Sequence, residues 1–229
     1  MANYYNPNTL AKFREALREA IDDVKNAKNL HVTISEGNIK MGHVASVSLL
    51  PFLSCPGTCG DTCGAKCYAA KLANLRKNVL TSYARNQAIA TLRPDIYWSS
   101  VDLAMKQVKW FRFHVSGDVL NYNYFDKMIE ACRNNPTTKV LVFTKKFDIV
   151  NKWIDENGTL PENLSIMFSG WSNLIPTNPH KLPETNVVEK GYHPRSGWTM
   201  CGGNCFECAL NGVGCWTAKS GDVIAFNEH

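Results

Sequence analysis

Eight of the nine cysteines in this 229-residue chain stand in two short groups. The first is Cys55, Cys59, Cys63 and Cys67, with three residues between successive thiols. The second is Cys201, Cys205, Cys208 and Cys215. A regular helix would carry the first four on one drifting face, but Pro56, Gly57, Gly60 and Gly64 oppose a helix there. The spacing instead predicts a loop folded around a compact object, with glycines that let backbone N–H groups approach sulfur. Gly202, Gly203, Gly212 and Gly214 give the second group the same character. Cys132 lies on a predicted helix and reads as a small core residue.

Three chemistries use thiols in this way. The segment Met1 to Thr9 is polar and lacks the apolar run of a secretion signal. Nothing approaches the roughly 18 uninterrupted apolar residues of a membrane span. A cytoplasmic location is expected, with no membrane partner, and there thiols stay reduced, which argues against disulfides. Four thiolates suit tetrahedral zinc, but zinc ribbons favour short C-x2-C knuckles that the first group lacks. Iron–sulfur clusters held by all eight cysteines are the leading expectation, with zinc as the alternative. The sequence leaves open whether the quartets hold separate clusters or share one larger one.

Hydrophobic residues make up 45% of the chain and charged residues 20%, enough apolar side chain for a core without crosslinks. Leu10, Phe13, Leu17, Ile21 and Val24 recur at steps of three and four, which predicts an amphipathic helix capped by Asn8 or Thr9. Residues 30–35 and 39–43 flank Glu36-Gly37-Asn38 and predict a hairpin, followed by a buried strand over 44–50. A long helix over 72–92 is expected to stop before Pro94. Strands at 111–115, 140–143 and 164–168 alternate with helices at 122–132 and 148–154, the pattern of a parallel sheet with covering helices. Beyond Gly170 the prolines Pro176, Pro179, Pro183 and Pro194 predict an irregular segment, with a last strand over 223–226. The expected fold is α/β, a partial parallel barrel or an open parallel sheet. It forms a single domain over 1–229: an N-terminal helix and hairpin (1–43), a βα core with the first cysteine loop (44–175), and a cysteine-rich segment (176–229).

Functional groups in parallel α/β proteins gather at strand carboxyl ends. Three predicted strands end in His114-Val115-Ser116-Gly117-Asp118, in Thr144-Lys145-Lys146 and in Ser169-Gly170-Trp171. The strand over 44–50 delivers the first quartet to the same end. His114, Ser116, Asp118 and Lys145 are therefore candidate catalytic residues. The competing roles are a helix cap for Asp118, a core histidine and solvated lysines. Strand alternation puts His114 and Ser116 on one face, beside the first cysteine loop. From Thr62 to Pro94 the chain carries Lys66, Lys71, Arg76, Lys77, Arg85 and Arg93, no acidic residue, and Tyr68 and Tyr83 between them. This basic segment over 66–93 suits nucleic acid or another anionic ligand, or is a helix with a solvated basic face.

The run from Ser54-Cys55-Pro56-Gly57 to Cys67-Tyr68-Ala69, followed by a basic helix and His-Val-Ser-Gly-Asp, resembles the phage gene product eighty-eight family. That resemblance covers roughly residues 40–216 and implies a phage or prophage origin, with the bacterial host cytoplasm as location; it assigns no activity. The chain also resembles, more loosely, the radical S-adenosylmethionine enzymes: a cysteine loop after an early strand, then a helix and βα units. That resemblance implies a [4Fe–4S] or larger cluster and S-adenosylmethionine as cofactor, with Ser116, Gly117 and Asp118 standing for a Gly-Gly-Glu-like cofactor-binding motif. Cys59, Cys63 and Cys67 are one residue too widely spaced at the second gap for that family. The pattern Cys201-x3-Cys205-x2-Cys208 has its spacing but lies at the wrong end of the chain. The expected function is a redox or radical iron–sulfur enzyme. The alternatives are a non-catalytic iron–sulfur or zinc module that binds nucleic acid, and an electron-transfer protein with a redox partner.

Overall fold

The computed structural model describes residues 3–39, 41–189, 191 and 195–228. Lys40, where the family resemblance begins, and Pro194, one marker of the irregular segment, lie outside them.

Helix α1 spans Pro7–Asn26 and is capped by Asn6, whose side chain accepts from the Thr9 N–H at 2.9 Å. It starts earlier than Asn8 or Thr9 because Pro7 has no N–H to leave unpaired and its fixed φ already suits the first turn. Strand β1 (Ile34–Ser35) pairs antiparallel with β2 (Ala45–Val47). The expected hairpin between 30–35 and 39–43 is thus replaced by a wider one. Residues 36–44 form its loop, where the Asn38 side chain accepts from the Met41 N–H at 3.0 Å. Strand β2 stops at Val47, short of Leu50, because the next amides leave the ladder. The Leu49 N–H donates to the Ser116 carbonyl and the Leu50 N–H to the Gln87 side chain.

The single helix expected over 72–92 is two, α2 (Tyr68–Leu75) and α3 (Lys77–Leu92), divided at the extended residue Arg76. The break is docked on α1: Lys12 donates to the Asn74 carbonyl at 2.8 Å, and the Asn74 amide donates to Thr9. Pro94 does not leave the chain in a loop. It is the first residue of a helix the sequence reading missed, α4 (Pro94–Lys106). Then follow β3 (Trp110–Phe113), α5 (Tyr122–Asn134), β4 (Lys139–Thr144), α6 (Phe147–Asn157) and β5 (Leu164–Gly170), close to their expected places. The segment after Gly170 is more ordered than expected. It holds β6 (Glu184–Val188), β7 (Trp198–Met200), α7 (Cys205–Asn211) and β8 (Val223–Asn227).

The sheet has eight strands in the order β1-β2-β3-β4-β5-β6-β8-β7, parallel except for β1. With β1 and β7 at its two edges it is open, not closed into a barrel. Strand alternation separates two apolar layers. Phe111, Phe113, Val140, Val142, Ile166 and Phe168 meet the helices in the main core. Leu141, Met167 and Ile224 face the other way and are covered by Phe143, Cys201, Cys215, Trp216 and Phe226. The second cysteine group, with the short helix α7, therefore forms a lid over the face away from the main helix layer. Among the described residues no helix is long and apolar enough to cross a membrane.

Candidate functional site

The first quartet follows β2 as a loop with two short 3-10 turns, Gly57–Cys59 and Gly64–Lys66. A regular helix through the four thiols is absent, as the glycines and proline predict. Cys67 occupies the cap position of α2, at whose start the Ala69 and Ala70 N–H groups favour its thiolate without forming a side-chain cap hydrogen bond. Burial nevertheless pushes the Cys67 thiol up to about 12. Cys59 is buried and shares hydrogen bonds with Cys55 and Cys63, which raise its pKa. The same contact with Cys59, helped by the charge of Lys145, lowers Cys63 to about 6. The two glycines in mid-loop have a packing role as well. A Cβ on Gly60 would stand 2.6 Å from the Tyr5 ring, and one on Gly64 2.9 Å from the Tyr5 Cβ. The N-terminal segment thus clamps the loop, and the Tyr4 N–H donates to the Ala65 carbonyl at 3.1 Å.

The segment 114–118 is the bracket that holds this loop against the sheet. The Ser116 hydroxyl donates to the Leu49 carbonyl at 2.9 Å, and the Asp118 N–H donates to the Ser54 hydroxyl at 3.1 Å. Both Asp118 carboxylate oxygens accept: Oδ1 from the Val119 N–H at 2.7 Å and the Thr144 hydroxyl at 2.6 Å, Oδ2 from the Lys145 N–H at 2.8 Å. Burial pushes this carboxyl up while those donors pull it down. Asp118 caps its own turn and the start of the β4 loop; the cap of α5 is Asn121. Asparagine at 118 would turn an amide toward one of these donors. Lys145 does face the cysteine loop. Its Nζ donates to Ser169 at 2.8 Å and its charge reaches Cys63.

His114 departs from the expected placement. Its φ of 59° lies in the left-handed region, which histidine visits more readily than most side chains. The ring therefore lies on the helix side with Phe113, not with Ser116 beside the cysteines. It sits 5.7 Å from the Phe113 ring, and its Nε2 shares a hydrogen bond with the Tyr124 hydroxyl at 3.0 Å. Burial, reinforced by the charge of Arg112, pushes the imidazole from 6.5 down to about 3. The unfolded chain then binds more protons than the folded one between those values, so stability rises with pH across that window. Folding stability is expected to fall as pH drops below about 6.5, by up to about 1.4 kcal/mol per unit from this group. His114→Asn tolerates the same backbone and does not titrate. Its urea midpoint should move less between pH 7 and pH 5 than that of the wild type; equal movement would contradict the assignment.

The second quartet starts after β7, where the Cys201 N–H donates to the Ala225 carbonyl at 2.8 Å. Asn204 caps α7, accepting from the Phe206 and Glu207 N–H groups, so Cys205 begins the helix and Cys208 follows one turn later. Cys215 returns on a 3-10 turn, Gly214–Trp216, packed on the sheet. The Gly203 N–H points at the Cys201 sulfur at 3.4 Å. Burial and the charges of Cys201 and Cys205 push Cys215 up to about 12, so all these thiols lie within electrostatic reach of one another. Among the described residues, no three His, Cys, Asp or Glu side chains stand arranged to hold a metal ion.

The basic segment does not present a uniform surface. Lys66 pairs with Glu228 at 2.6 Å and Arg93 with Asp95 at 3.3 Å, while Lys71, Arg76 and Lys77 are exposed. The Tyr68 hydroxyl donates to the Val115 carbonyl just past the end of β3. Tyr83 lies near Ser48 and Ser116, and burial raises its pKa.

Fold and site together define an open, mostly parallel α/β protein with the main helix layer on one sheet face and a cysteine-bearing lid that includes α7 on the other. The family model described as Gene product 88 matches residues 12–191, and the chain belongs to this phage gene product family. The matched region holds the first quartet and ends before the second. No curated protein and no solved structure matches the chain.

Proposed function

We propose that this phage-family protein is an iron–sulfur protein of redox type, with thiolate-bound iron held by Cys55, Cys59, Cys63 and Cys67 and by Cys201, Cys205, Cys208 and Cys215. The observation that carries the reading is that eight thiols gather in two groups whose members lie within electrostatic reach of one another, with the Gly203 N–H aimed at the Cys201 sulfur at 3.4 Å. Soft thiolate donors select iron–sulfur clusters, zinc or copper(I) over hard cations. N–H groups aimed at sulfur tune a cluster's potential. A cluster is larger than one ion, so its ligands need not meet around a single point. Bound there, it supplies one-electron transfer, and Lys145 beside Cys63 offsets part of the thiolate charge.

S-adenosylmethionine chemistry is a narrower form of the same proposal. The hydrogen-bonding groups of Ser116 and Asp118 are committed to the loop bracket, which leaves Lys145 as the candidate catalytic residue facing the cysteines. The test replaces each quartet separately. Cys59→Ala with Cys63→Ala, and independently Cys205→Ala with Cys208→Ala, should each remove a distinct share of the bound iron. If neither pair changes iron content after anaerobic reconstitution, the quartets are not ligand sets.

A further inference from the structure

Arg112 is a cation without a carboxylate. On β3 it alternates with Phe111 and Phe113 and so emerges on the face away from the main helix layer, under the cysteine lid. Its guanidinium lies over the Phe143 ring, 4.5 Å from the centroid. Its Nε is buried without a partner, and among the described residues it forms no ion pair. A guanidinium stays charged at any ordinary pH, and burying it uncompensated is costly. Among the described residues its guanidinium donates to the Cys205 sulfur, 3.6 Å from Nη1. Cys215 lies within reach of the same charge. So does the Tyr68 hydroxyl, which also senses Cys67 of the first quartet and Cys205 of the second.

We infer that Arg112 is the built-in counter-ion of an anionic thiolate-bound metal centre in the second quartet, and that it acts as a positioning residue for that centre. The inference rests on the iron–sulfur reading of the quartets, since among the described residues no three such side chains stand arranged around a single ion. Four thiolates outweigh the positive charge of the cluster they hold, so the centre is a net anion. A hydrogen bond from a fixed guanidinium then stabilises the loaded state relative to the empty one. In the empty protein the same arginine has no cluster anion to bond and gains little. Its charge thereby favours loading, and it biases the second quartet over the first, which lies beyond Tyr68.

The experiment uses full-length, metal-loaded protein and withdraws metal with graded concentrations of a chelator. Arg112→Met keeps the aliphatic stem and should leave the melting temperature of the metal-free protein close to wild type. It should release metal from the second quartet at about tenfold lower chelator concentration, with the remaining pool unchanged. Arg112→Lys, which keeps the charge but not the planar fork, should fall between the two. The share belonging to the second quartet is identified by its loss in Cys205→Ala with Cys208→Ala. If Arg112→Met releases metal as wild type does, Arg112 is only a packing residue and the metal reading stands. If wild type binds no metal, both fall. A Met variant that fails to fold leaves Arg112→Lys as the deciding comparison, and wild-type behaviour there overturns the role of the fork.

Discussion

Replacing Gly117 with alanine is expected to destabilise the protein by about 2–5 kcal/mol and to loosen the first cysteine loop. Gly117 has a φ of 82°, and a Cβ built there would lie 2.5 Å from the Ser54 hydroxyl and 2.9 Å from the Leu49 Cβ. The left-handed backbone costs a non-glycine residue about 1–2 kcal/mol. Forcing a methyl into a filled space adds about 1–3 kcal/mol. Ser54 cannot retreat freely, because its hydroxyl accepts from Asp118 and donates to the Leu50 carbonyl at 2.6 Å. Relief must therefore move the residue just before Cys55. Against a total stability of about 5–15 kcal/mol the loss is large enough to unfold part of the population at 37 °C. Urea unfolding of Gly117→Ala measures it; a loss under about 1 kcal/mol would show that the bracket does not hold the loop as described.

If the quartets hold metal as proposed, chelation is expected to have an effect of similar or greater size, concentrated in the lid. Metal binding to a site that the unfolded chain lacks contributes directly to folding, by about 10–16 kcal/mol in small structural zinc domains. Here the lid rests on a small apolar patch of three buried side chains, Leu141, Met167 and Ile224, whereas the helix layer has the large core. Loss of about 5 kcal/mol corresponds to a fall in melting temperature of about 10–20 °C for a chain of this size. Chelation under anaerobic, reducing conditions should produce that fall and open the segment around residues 195–220 to protease before the βα core. An unchanged melting temperature and digestion pattern after full chelation would contradict a metal-bearing lid.

The βα core from Trp110 to Gly170 was legible because its strands are rich in large apolar residues, unbroken over Val140–Phe143, and its helices carry amphipathic periodicity. Asn121 and Gly158 punctuate α5 and α6 at their ends. What the sequence reading missed turns on tertiary contacts. Pro94 reads as a helix stop, yet in a chain turning from α3 it starts α4. Glu184–Val188 and Trp198–Met200 have little strand character alone and are held by their ladders to β8. At the site, the cysteine grouping and the strand-end location of 116–118 and Lys145 were visible. The turn of His114 away from its neighbours was not, because a positive φ on histidine breaks the strand alternation from which its face was deduced. Arg112 was overlooked altogether. Its signal, a lone charge alternating with Phe111 and Phe113 on a core strand, was present in the sequence.

The measurement closest to the central claim is iron and acid-labile sulfide in protein prepared anaerobically, read beside its electron paramagnetic resonance spectrum. The expected result is brown protein with both elements present, broad absorption near roughly 400 nm that bleaches on reduction, and a paramagnetic signal from a thiolate-bound cluster. Colourless protein that holds stoichiometric zinc and no sulfide, even after reconstitution with iron and sulfide, would contradict it.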